Sequence, residues 1–192
     1  MSKRIIAVIA VLAIALSVFA AGCKKKTKTV VVYLNSSSSV SETANVISKS
    51  NGGDLYELTP AKKYSDDELT LSDKGQRVKT EQEKNTKVEI KNPLKDIKKY
   101  DKVYVVYPVW YEKAPRIIVE FVKTTALEGK SVTPIAVSNI SDITPTLDEL
   151  KKAAPKAKWV TGVRFSESLD PISIDAWVRN SEGITQKTTK EK

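Results

Sequence analysis

From Thr29 onward, continuous apolar, β-branched runs alternate with segments whose apolar residues recur at helical spacing. The run Val30-Val31-Val32-Tyr33-Leu34 has no polar position, as a strand covered on both faces requires. Further strands are predicted over residues 55–58, 103–107, 131–137 and 159–165. Helices are predicted over 41–48, with Val40, Ala44 and Ile47 on one side and Asn51-Gly52-Gly53 as the stop, and over 114–122 with Pro115 in the first turn. Two more follow over 146–154, entered through a capping box of Thr146 and Glu149, and over 172–178. Strands alternating with helices predict an α/β fold: a three-layer, doubly wound, five-stranded parallel sheet with right-handed crossovers. Ligands of such sheets bind outside the carboxyl ends of the strands, here in the loops after Leu34, Tyr107 and Val137.

Two regions break the alternation. Residues 59–92 are polar and charge-rich, and read as a long surface excursion with one short helix. The first 22 residues carry Lys3 and Arg4, then an apolar run over 5–16 continuing through Val18 and Phe19, then Ala20-Ala21-Gly22 before Cys23. That is the plan of a secretory signal, and a cysteine at the cut resembles the lipobox of bacterial lipoproteins, with Ala20 where that box prefers Leu. The division expected is a signal peptide over 1–22, a lipidated polar stalk over 23–28, a domain over 29–180 and a disordered tail over 181–192. A diacylated Cys23 would hold the domain to the extracytoplasmic face of the cell membrane. The alternative, an uncleaved transmembrane anchor, also puts the domain outside the cytoplasm.

Composition narrows the chemistry. The net charge is +9, but Lys3 and Arg4, the run Lys24, Lys25, Lys26 and Lys28, and the tail with Lys187, Lys190 and Lys192 against Glu191 carry eight of the nine. The body keeps one net positive charge, which is no footprint for nucleic acid. With no histidine and one cysteine, the chain lacks a His-based metal site, a Ser-His or Cys-His pair and an internal disulfide. Trp159 and Trp177 read as packing residues, as does Tyr104, and Asp142 and Glu112 as solvated loop carboxylates. No catalytic residue and no metal ligand is singled out.

The segment Val105-Val106-Tyr107-Pro108-Val109-Trp110-Tyr111-Glu112-Lys113-Ala114-Pro115 resembles the Tyr-Pro-x-Trp loop of small flavodoxin-like domains. The resemblance covers about residues 29–178 and implies a flavodoxin-like strand order, 2-1-3-4-5, with FMN as cofactor. It puts Trp110 on the position that stacks on the flavin, with Pro108, Val109 and Tyr111 beside it. Asn35, Ser36, Ser37, Ser38, Ser39 and Val40 fall on the family's phosphate loop, with Ser38 in place of a glycine and Val40 in place of a hydroxyl donor. Ser138 and Asn139 fall on the flavin-edge loop, which here has no glycine through Thr144.

Three functions follow from this pattern: an FMN-binding protein with an electron-transfer or quinone-reducing role, a flavin-free binding or structural module, or a binder of another phosphate-bearing or aromatic molecule. The slot beside Trp110 separates them. A flavin needs it open, whereas a flavin-free pocket would have it filled by Ile140, Ile143 or Tyr111. No redox partner is indicated.

Overall fold

A computed structural model of the chain describes residues 27–69, 76–139 and 142–183. The leader, Cys23, Ile140 and most of the tail lie outside the described residues. Strands β1 (Thr29–Tyr33), β2 (Asp54–Glu57), β3 (Lys102–Pro108) and β4 (Ser131–Val137) are joined by two further short strands, β5 (Lys158–Trp159) and β6 (Val163–Phe165). All pairings are parallel and the order is β2-β1-β3-β4-β5, with β6 also on β4. The expected fold class and strand order are both present.

The helices are α1 (Ser38–Asn51), α2 (Asp66–Leu69), α3 (Gln76–Glu83), α4 (Arg116–Thr124), α5 (Thr144–Ala153) and α6 (Pro171–Glu182). Because successive strand side chains alternate, β1 feeds two cores. Val31 and Tyr33 join Val40, Ala44 and Ile47 of α1 and Ile174 and Val178 of α6. Val30 and Val32 join Ile117, Ile118 and Phe121 of α4 and Leu150 of α5 on the other face.

Five expectations need correction. The last strand is two pieces rather than one, and Pro134 accounts for the break. Val132 C=O accepts from Val160 N–H at 2.9 Å and Ser138 N–H donates to Phe165 C=O at 3.0 Å, so even-numbered positions of β4 face the outer strand. Pro134 shares that parity and has no N–H to offer, and residues 160–162 leave the ladder opposite it. Gly162 then tucks in where an added Cβ would lie 2.9 Å from Leu147 Cδ2 and 3.1 Å from the Pro134 carbonyl oxygen.

The capping box of α5 does not form. Its helix starts two residues earlier, Thr146 Oγ1 donates to the Ile143 carbonyl at 2.7 Å, and Glu149 pairs with Arg116 of α4 instead. Pro115 is the N-cap of α4 rather than a first-turn residue, and α6 runs to Glu182, two residues past the expected domain end. The excursion over 59–92 is not a loose surface loop. It holds two helices, closes with an antiparallel bridge between Pro60 and Ile90, and buries Val78, Glu81, Gln82 and Val88.

Candidate functional site

The loops after β1, β3 and β4 lie side by side at the carboxyl edge because these strands are parallel neighbours. After β1, the chain turns directly into α1. Ser37 is the N-cap, in extended backbone, and its Oγ accepts from Val40 N–H at 3.4 Å. The N–H groups of Ser38 and Ser39 open the first turn, where no intrahelical acceptor exists. Among the described residues, Ser36 Oγ is buried without a hydrogen-bond partner. A buried orphan hydroxyl beside open N–H groups is a donor set for an anion. Val40 is not part of that set, since its side chain is buried in the core with Ala44 and Ile47. Asn35 is turned away toward β2, with Nδ2 donating to Glu57 at 3.5 Å beside the Tyr33 hydroxyl, which donates to the same carboxylate oxygen at 3.2 Å. Burial and the Glu57 carboxylate both push the Tyr33 hydroxyl pKa up, so it remains a donor. Beyond Asn35 lies a cavity of about 170 Å³ reaching Leu58 and Tyr64, below the roughly 300 Å³ at which ligand pockets begin.

The loop after β3 departs from expectation. Pro108 is buried and Val109 half-buried, and the chain then makes a two-residue reversal. Trp110 N–H donates to Lys113 C=O at 3.0 Å and Lys113 N–H to Trp110 C=O at 3.1 Å. Tyr111 and Glu112 sit at the tip with φ of 51° and 62°, a type I′ geometry usually given to Asn and Gly. The reversal sends Trp110 inward and leaves Tyr111 outside: Trp110 is 3% exposed and Tyr111 39%.

Tyr64, from the excursion, covers Trp110. The two rings meet edge-to-face, 5.3 Å between centroids at 83°. The Tyr64 hydroxyl donates to Glu81 at 2.8 Å, burial and that carboxylate hold its proton far above the usual phenol range, and the Arg77 guanidinium lies 4.3 Å over the ring. Arg77 is fixed in turn by Glu81 at 2.8 Å and by the Lys62 and Lys63 carbonyls at 3.0 Å. Gln82 Nε2 donates to Ala114 C=O and Lys113 Nζ to Gln82 C=O, both at 3.1 Å, tying α3 to the reversal. Among the described residues the filling is thus Tyr64, a residue sequence reading missed, and not Tyr111; Ile140 lies outside the described residues. Ile143 is half-buried against the same core. The missed signal was faint, because the inward face of α3 is built from Val78, Glu81 and Gln82, with only one apolar member.

At the loop after β4, the Ser138 N–H and C=O are taken by Phe165 and by Arg164 Nη1 at 2.6 Å. Asn139 faces the β6–α6 turn: its Oδ1 accepts from Ser166 Oγ at 2.7 Å and Glu167 N–H at 3.0 Å, and its Nδ2 donates to Glu167. Backbone N–H groups of Thr144 and Ile143 hold the Asp142 carboxyl below its usual pKa, ionised at the rim. Trp177 packs edge-on against Phe165 at 5.4 Å, Trp159 Nε1 donates to the Ala154 carbonyl, and the buried Tyr104 hydroxyl donates to Glu182, as packing roles require.

A sequence model of the family described as Flavodoxin matches residues 28–181, most of the chain. The chain belongs to the flavodoxin family. Among solved structures, this flavodoxin-family chain is 31% identical to a candidate flavoprotein from Bacteroides eggerthii, covering 83% of this chain and 100% of that one at a TM-score of 0.73. A second candidate flavoprotein, from Bacteroides uniformis, is 29% identical over 81% of this chain and 99% of its own, with a TM-score of 0.74. A Lactobacillus acidophilus flavoprotein in complex with FMN shares the fold at 17% identity, over 79% of this chain and 98% of its own, with a TM-score of 0.60. No curated protein matches.

Proposed function

We propose that the protein binds FMN at the carboxyl edge of β1 and β3 and transfers electrons while tethered to the outer face of a membrane through a lipid on Cys23. The carrying observation is the opening of α1, where the buried, unpartnered Ser36 hydroxyl stands beside the open N–H groups of Ser38 and Ser39. These fit a phosphate monoester, whose charge the helix N-terminus favours. Tyr111, exposed at the tip of the reversal after β3, is the aromatic that would lie against the ring in place of Trp110. The flavin supplies the redox chemistry, and the chain's residues bind, orient and shield it.

Charged groups of both signs line the mouth of the site. On the loops after β3, β4 and β6 the exposed carboxylates are Glu112, Asp142 and Glu167, with Lys113 and Arg164 beside them.

Reconstitution with FMN, followed by removal of free flavin and a visible spectrum, tests the reading. A bound, fluorescence-quenched flavin that weakens in Ser36→Ala and Tyr111→Ala is expected; a folded but colourless protein would refute it. The flavin-free alternative has one observation of its own, the cover of Tyr64 over Trp110, and predicts that colourless outcome. Palmitate labelling that disappears in Cys23→Ser tests the anchor.

A further inference from the structure

In a parallel α/β sheet, strand starts and helix ends share one edge, opposite the ligand loops. Here that edge is basic. The four long helices packed on the sheet all end in cations: Lys49 in α1, Lys123 in α4, Lys151 and Lys152 in α5, and Arg179 in α6. Charge at a helix C-terminus favours cations, but the strands repeat the pattern, with Lys28, Lys102, Lys130 and Lys158 at or just before the starts of β1, β3, β4 and β5. Lys98 and Lys99 add to it from the turn of 3₁₀ helix before β3.

The acidic groups at this edge are mostly engaged. Asp54 lies 3.9 Å from Lys99, Glu128 lies 3.6 Å from Lys156, Glu182 pairs with Lys102, and Asp101 accepts from the Lys28 N–H at 3.1 Å. Among the described residues, Lys49, Lys98, Lys123, Lys151, Lys152 and Lys158 are exposed and have no ion pair. Both ends of the domain leave from the same edge, at the start of β1 and the end of α6. They continue into Lys24, Lys25 and Lys26 on one side and Lys187, Lys190 and Lys192 on the other.

We infer that this edge is a docking surface for an anionic lipid bilayer, so that the domain stands on its lysines with the carboxyl edge turned away from the membrane. The inference rests on the membrane-tether reading for its biological setting, but the surface is a property of the domain itself. Five residues separate Cys23 from β1, so a lipid tether would join the domain at this edge. Each lysine near such a surface contributes about five-fold to partitioning, and the contribution falls within a Debye length.

The test uses a chain beginning at Lys24, which keeps every described element and whose cooperative melting is checked first. Flotation with phosphatidylcholine vesicles containing about 30% phosphatidylglycerol is compared with pure phosphatidylcholine at low and high salt. Binding only to the anionic vesicles, lost in about 0.5 M salt, is expected. The variant K98Q/K151Q/K152Q/K158Q should bind at least about 25-fold more weakly, taking only two of the four lysines to be in contact. The control K62Q/K79Q/K84Q/K87Q removes the same charge from the excursion and should stay within about three-fold of the parent. Melting temperatures check that both variants are folded. No binding by the parent, or equal loss in both variants, would overturn the inference. Since Cys23 is absent, neither result depends on acylation, which the palmitate experiment judges separately.

Discussion

Removing the Tyr64 ring should uncover Trp110. Tyr64→Ala loses an edge-to-face aromatic pair, about 0.5–1.5 kcal/mol, and a guanidinium–ring contact, about 0.5–1 kcal/mol. It also gives up the buried area of a half-buried ring, so the total falls below the 3–5 kcal/mol of a fully buried aromatic, at about 2–3 kcal/mol. For a domain of this size that is a drop in Tm of about 5–10 °C. The decisive reading is local. Trp159 and Trp177 are already partly exposed, so in a Trp159→Phe, Trp177→Phe background all tryptophan emission comes from Trp110. Tyr64→Ala should shift that emission to the red and raise its quenching by iodide several-fold, whereas Tyr64→Phe, which keeps the ring and loses only the bond to Glu81, should leave quenching near the parent. Unchanged quenching in a folded Tyr64→Ala protein would refute Tyr64 as the cover. If FMN affinity rises in that variant, Trp110 also competes for the ring; if it does not, Tyr111 is the sole aromatic contact.

Glu112→Gly should stabilise the protein by about 1 kcal/mol in chemical denaturation, since a φ of 62° costs a side chain about that much and a glycine nothing. Gly162→Ala should cost about 1–3 kcal/mol, because the new methyl meets the Pro134 carbonyl oxygen and Leu147. Glu149→Ala strands the Arg116 guanidinium, whose side chain is 8% exposed, and should cost about 2–3 kcal/mol; the half-buried carboxylate keeps this below a fully buried pair. The Asp170 carboxyl caps α6 through Ser173 and Ile172, which holds its pKa below the ordinary value. Its stabilisation is therefore complete above the unfolded carboxylate range near pH 4 and is lost as the pH falls through the lower folded value. Thermal melts should show Asp170→Ala less stable than the parent at pH 5–7, with the gap closing toward pH 2–3.

The strands of the inner sheet were legible because burial on both faces leaves a plain signature: residues 131–137 are β4 to the residue, and Val30 to Tyr33 lie in β1. The split of the last strand was encoded too, but in the parity of Pro134 relative to its neighbours, which is visible only once the register is known. The capping box at Thr146 failed for a tertiary reason, since Arg116 offers Glu149 a full charge where the N-cap offers one N–H. The Tyr-Pro-x-Trp segment lies in the loop after β3, as its place in the alternation required. Which of its aromatics faces solvent turned on two non-glycine residues accepting positive φ, a backbone choice that residue type argues against. Tyr64 was hidden in a segment whose inward face is largely polar.

That polarity has a kinetic consequence. The excursion is fastened to the domain by directional bonds at Gln82, Asn92 and Lys113 and by a few modest apolar contacts, Val78 and Val88 foremost, while the bonds of Arg77 and Glu81 are internal to it. A unit held this way opens without melting the sheet, so its amides should exchange hydrogen well before those of β1, β3 and β4. Trp110 is therefore the aromatic whose availability is set by an equilibrium, on the timescale of that opening, while Tyr111 is available at all times.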